Sequence, residues 1–104
     1  MKHKELFELL KAIKIPVAYD HFDDNKSLIP PFMAYREQSM DNFKADNKNY
    51  YSEKHFEIEV VTSKKDVALE ESIEELFNNN DISFEKSDEI WDKEEKIYHI
   101  FYEI

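Results

Sequence analysis

Neither cysteine nor glycine occurs in the 104 residues, and proline occurs three times. Without cysteine there is no disulfide framework and no thiolate-bound zinc, which fits synthesis inside a cell. Without glycine the phosphate-cradling loops are excluded. The Walker loop and the dinucleotide fingerprint both need residues whose missing side chain lets backbone N–H groups approach a phosphate closely. The seven serines lack the glycine-flanked elbow of a nucleophilic hydrolase for the same reason. Long apolar runs are missing as well. Charges interrupt the opening MKHKELFELLKAIKIP, which leaves neither the roughly 7 to 15 apolar residues of a signal peptide nor the roughly 20 of a membrane span. The reading is of a soluble protein with no membrane partner.

What is present is charge and aromatic area. Asp and Glu number 24 against 14 Lys and Arg, while 8 Phe, 6 Tyr and Trp91 supply enough apolar surface for a real core. The length suits one domain, residues 1–104, and leaves no room for separate cofactor and substrate domains. The charge is unevenly spread. Residues 1–50 carry eight basic and eight acidic side chains, whereas residues 51–104 carry six and sixteen, so the whole net charge of −10 belongs to the second half. Nucleic-acid binding draws on clustered Lys and Arg, and no direct grip on nucleic acid is expected.

Hydrophobic periodicity predicts an amphipathic helix over residues 2–14, with Leu6, Leu10 and Ile13 on one face, stopped by Pro16. A short extended segment follows around Val17 and Tyr19, and then the polar loop DHFDDNKS. PFMAYREQ reads as a strand, with Phe32 and Ala34 on one face and Met33 and Tyr35 on the other. Residues 39–50 read as a loop or hairpin arm anchored by Phe43. FEIEVVT alternates as a half-buried strand, and Asp66 is placed to cap a second helix. That helix carries Leu69, Ile73, Leu76 and Phe77 on one face, with Glu70, Glu71, Glu74 and Glu75 expected on a solvated one. The run NNND supplies Asn80 for a left-handed helix end, Ile82 and Phe84 are expected to begin a strand, and a last strand spans about 96–104. Its two apolar faces suggest subunit contact. The predicted fold class is α+β, a mostly antiparallel sheet of about four to five strands with two helices packed on one face.

Candidate chemistry is sparse. Asp20, His21, Asp23 and Asp24 form the densest group of hard-cation ligands, but the alternate-position ligands, central Gly and terminal Glu of a calcium loop are missing. An exposed loop of turn-making residues is the simpler account. His3, His21, His55 and His99 form no metal-binding pair in sequence. Glu57 and Glu59 share one strand face, which is either its wet side or an acidic lining. No cofactor, metal or catalytic residue is predicted.

The strings PVAYDHF, PFMAY, DNFKADNKNYY and FEIEVVTSKKDVALEESIEELF, with the aromatic C-terminal strands, carry a resemblance over nearly the whole chain. It resembles the small tail terminator or tail completion proteins of prophages and long-tailed phages of Gram-positive bacteria. That resemblance implies a structural rather than catalytic protein: a ring, a hexamer in the virion, that caps the tail tube. Its partners would be other copies of itself, the major tail tube protein and the head-completion or connector protein. It would pass from the host cytoplasm to the head-proximal end of the tail. The matching positions Tyr19, Asp20, His21, Phe22, Asn42, Phe43, Asp46 and Tyr50 are expected to support the fold or contact a subunit or partner. Glu57 and Glu59 are candidates for the ring lumen, where acidic side chains would keep passing DNA from adhering. Two other readings stand beside it, another head–tail neck subunit and an acidic mimic of DNA that inhibits a host enzyme.

Overall fold

The computed structural model of the protein describes residues 2–19, 29–38 and 55–104. Helix α1 spans His3–Leu10 and continues as a 3-10 turn over Lys11–Ile13. The Lys2 N–H donates to Glu5 Oε1 at 3.2 Å, which satisfies one of the free donors at the helix start. Leu6 and Leu10, one turn apart, are fully buried. Lys14 ends the segment in the left-handed region, at φ 66°, and Pro16 prevents its resumption.

Among the described residues, six strands form one sheet: β1 (Val17–Tyr19), β2 (Phe32–Gln38), β3 (His55–Thr62), β4 (Glu85–Lys86), β5 (Ile90–Asp92) and β6 (Ile97–Glu103). The order is β1-β2-β3-β6, with β4 and β5 sharing the far edge of β6. Among these strands β1 and β2 pair in parallel, and the other four pairings are antiparallel. The α+β class holds, with six strands where four to five were expected. The surplus arises at the β6 edge, which is too long for either short strand alone. Ser87 joins the two: its N–H donates to Phe101 O at 2.8 Å, and its hydroxyl accepts from Phe101 N at 3.0 Å.

Helix α2 spans Val67–Asn79, and Asp66 caps it as predicted, Oδ1 accepting from Leu69 N at 3.0 Å. Both helices cover the same face of the sheet. Leu6, Leu10, Ile73 and Phe77 meet Met33, Tyr35, Phe56, Ile58, Val60, Ile100 and Tyr102 in one core. Each such aliphatic or aromatic side chain contributes about 1.5 to 3 kcal/mol on burial, so this layer holds the fold together.

Two local expectations are corrected. Ile82 and Phe84 lie outside any strand; their side chains pack on the core, with Phe84 ring centroids 5.4 Å from Phe77 and 5.7 Å from Tyr102. Ladder pairing begins only at Glu85. Asn80, at φ −110°, is not the left-handed residue after α2; Asp81, at φ 56°, is. The Asn80 side chain instead donates to Leu76 O at 2.8 Å, satisfying a carbonyl that the helix end leaves free.

Candidate interaction surface

Strand alternation sends odd-numbered residues of β3 and β6 away from the helices, and the register sets them against even-numbered residues of β2. Arg36 stands directly opposite Glu57, and Ala34 and Phe101 flank Glu59 on its two neighbouring strands. The Arg36 guanidinium therefore reaches both glutamates, with Nε 3.0 Å from Glu57 Oε1 and Nη2 3.8 Å from Glu59 Oε1. From the diagonal position on β6, His99 Nδ1 lies 2.6 Å from Glu59 Oε2. With Glu59 ionised, the ring nitrogen donates. Gln38 Nε2 donates to Glu103 Oε1 at 3.4 Å on the same face. Cross-strand and diagonal pairs of this kind are the sheet's counterpart of helical i,i+4 pairs.

Among the described residues, no helix or strand packs over this face. The Arg36 side chain is 39% exposed, and those of Glu57, Glu59 and His99 are 21 to 23% exposed. Ile97 and Phe101 are half-buried beside them, and Ile90, opposite His99, is exposed. Glu57 and Glu59 thus occupy the outward face that alternation predicted, but as a paired cluster rather than as free carboxylates.

A second polar constellation lies on the helix side. Glu70 and Glu74, one turn apart on α2, face the sheet, and Glu70 is buried. Lys86 Nζ lies 2.7 Å from Glu70 Oε1 and 2.8 Å from Glu74 Oε2. Lys65 Nζ is 3.1 Å from Glu70 Oε2 and 3.3 Å from Glu89 Oε2. The buried Tyr102 hydroxyl donates to Glu74 Oε2 at 2.7 Å. Burial pushes the Glu74 carboxyl up, but hydrogen bonds from Lys86 and Tyr102 outweigh it and hold the group below its ordinary range. Burial likewise opposes the Lys86 charge, and the hydrogen bonds to Glu70 and Glu74 raise its pKa in spite of it. The expectation of four solvated glutamates on α2 is therefore corrected: Glu71 and Glu75 are exposed, whereas Glu70 and Glu74 clamp β4 to the helix.

Of the sequence-predicted contact residues, Tyr19 is described. It stands at the end of β1, 48% exposed, its ring 4.2 Å from His3 and 5.3 Å from the buried Tyr35. Asp20, His21, Phe22, Asn42, Phe43, Asp46 and Tyr50 lie outside the described residues, as do Asp23, Asp24 and the arm at 39–50. Sequence reading did not anticipate Arg36, His99, Lys65 or Lys86. The one available signal was a lone arginine in a strand whose neighbours alternate glutamates. Among the described residues, no three His, Asp or Glu side chains converge as metal ligands, and no helix is long and apolar enough to cross a membrane.

Comparison of the chain with family models, curated proteins and solved structures finds no match in any of the three.

Proposed function

We propose that the protein is a structural subunit of a phage tail, a ring-forming terminator or completion protein that caps the tail tube and joins it to the head connector. The observation that carries this reading is the one-sidedness of the fold. Both helices lie on one face of the sheet, and the other presents a partly exposed surface in which Ile90, Ile97 and Phe101 adjoin Arg36, Glu57, Glu59 and His99. Mixed apolar and charged faces of this kind suit subunit packing, where a hydrophobic centre gives affinity and charge selects the partner. The resemblance of the sequence strings to tail terminator proteins supplies the assembly.

A DNA mimic would present a continuous free array of carboxylates. Here Glu57 and Glu59 are bridged by Arg36 and His99, and Glu70 and Glu74 by Lys65 and Lys86, which favours the structural reading. Electron microscopy of lysates from a phage lacking the gene tests it. Overlong or headless tails are the expected result; empty heads beside normal tails would assign the subunit to head closure instead, and normal virions would overturn the reading.

A further inference from the structure

The sheet register sorts charges by face. Glu57 and Glu103 are direct partners, Glu85 pairs with Glu103, and Asp92 pairs with Ile97, so all four share the helix-free face with Glu59 and Arg36. Among the described residues, that face carries five carboxylates, the Arg36 guanidinium and the His99 imidazole. On the opposite layer, α1, its 3-10 extension and the flanking Lys2 and Lys14 expose four lysines, Lys4 and Lys11 being the other two, against Glu5 and Glu8, with Lys11 held by Glu8 at 2.8 Å. The acidic chain therefore keeps a locally basic helix on the side of the sheet remote from its most acidic strand surface.

We propose that the helix-free sheet face docks the α1 segment of a second copy of this chain. The inference rests on the ring-forming reading and names the two surfaces that would meet. Charge decides the geometry. Two sheet faces brought together would oppose like charges across their whole width, which disfavours that pairing, whereas a lysine-bearing helix meets the face with opposite sign. The apolar contribution comes from Ile90, Ile97 and Phe101 on one side and from Ala12 and the lysine stems on the other. Because the two surfaces lie on opposite layers of one subunit, the contact is heterologous: each copy offers one helix and one face, and repetition closes a ring or extends a filament.

The test uses the full chain and charge reversal at exposed positions. One variant carries Lys4→Glu and Lys14→Glu, a second carries Glu85→Lys and Glu103→Lys, and a third carries all four. All four positions are exposed and outside the core; Glu103 stands beside Glu57 and accepts from Gln38, so circular dichroism checks that each variant is folded. Association is followed by sedimentation at low ionic strength and again at about 0.5 M salt, where exposed charges are screened. The wild type is expected to assemble, and to do so less at high salt. Each double variant should associate about tenfold or more weakly, and the quadruple variant should recover assembly because its reversed surfaces are again complementary. Wild-type assembly together with unimpaired double variants overturns the docking contact and leaves the ring reading standing. So does loss in the sheet-face variant alone, which would assign that face a different occupant. A wild type that stays monomeric overturns the docking contact, while the tail phenotype decides the ring reading independently.

Discussion

Tyr102, fully buried on β6, donates its phenolic hydrogen to Glu74 Oε2 across 2.7 Å, tying the centre of the sheet to α2. Tyr102→Phe keeps the ring and removes the bond, leaving Glu74 with one donor fewer. The expected cost is about 1.5 to 3 kcal/mol, the range for a hydrogen bond to a charged group, read as a lower urea midpoint with unchanged slope.

The same bond sets the alkaline limit. Burial, reinforced by the hydrogen bond and the negative charges of Glu74 and Glu70, pushes the Tyr102 phenol far above its ordinary 10.0. The native state therefore holds this proton more tightly than the unfolded chain does, and the resulting stability is complete below the ordinary value. It declines as pH rises beyond it. Stability measured against pH should fall above about 10, and Tyr102→Phe should flatten that limb.

Lys86 governs the acid side. Glu74 titrates below its ordinary 4.5 because Lys86 and Tyr102 hydrogen bonds overcome the effect of burial. Its contribution is present above that value and is lost as pH falls through the lowered one. Lys86→Met should cost about 2 kcal/mol at neutral pH, between an exposed and a buried ion pair, since among the described residues it leaves Glu70 with Lys65 as its one cation. It should also make the acid limb shallower in a denaturation series.

A chain without glycine pays for its turns in backbone strain. Lys14, Asp81 and Lys96 adopt φ of 66°, 56° and 58°, where a Cβ crowds the following carbonyl by about 1 to 2 kcal/mol. Lys14→Gly should therefore stabilise the fold by about 0.5 to 1 kcal/mol net once the added freedom of the unfolded chain is subtracted, read as a higher melting temperature. A lower melting temperature would show that the lysine side chain contributes more than its backbone costs.

Asp66→Ala removes the acceptor for Leu69 N at the start of α2. The expected loss is about 1 kcal/mol, or about 4 to 8 °C for a domain of this size. Asp66→Asn, which keeps an acceptor, should lose less.

The elements legible in the sequence are those set by local period. Phe56, Ile58 and Val60 alternate with Glu57, Glu59 and Val61, and the structure buries the first set against the helices and turns the second to the other face, where the glutamates stay partly exposed but Val61 is buried. Leu6 and Leu10, and Ile73 and Phe77, repeat at helical spacing and point into the same core. Reading failed where a local rule had two outcomes. Four glutamates on α2 look equally solvated until β4 delivers Lys86 beneath two of them. Asn80 looks like a left-handed cap until its side chain takes Leu76 O and leaves that conformation to Asp81. Phe84 looks like a strand residue until its ring is claimed by Phe77 and Tyr102.

By itself the sequence determined what kind of molecule this is: glycine- and cysteine-free, acidic after residue 50, and patterned for an α+β layer with a wet strand face. Only the tertiary structure decided what the acid does. The charge on Glu57 and Glu59 meets Arg36 and His99 because the register of three strands brings together residues 21 and 40 positions apart. Glu70 and Glu74 meet Lys86 because the chain returns under α2 to pair with β6. Register and crossover are settled by collective burial of the core, a property of the packed whole, and no local period encodes them.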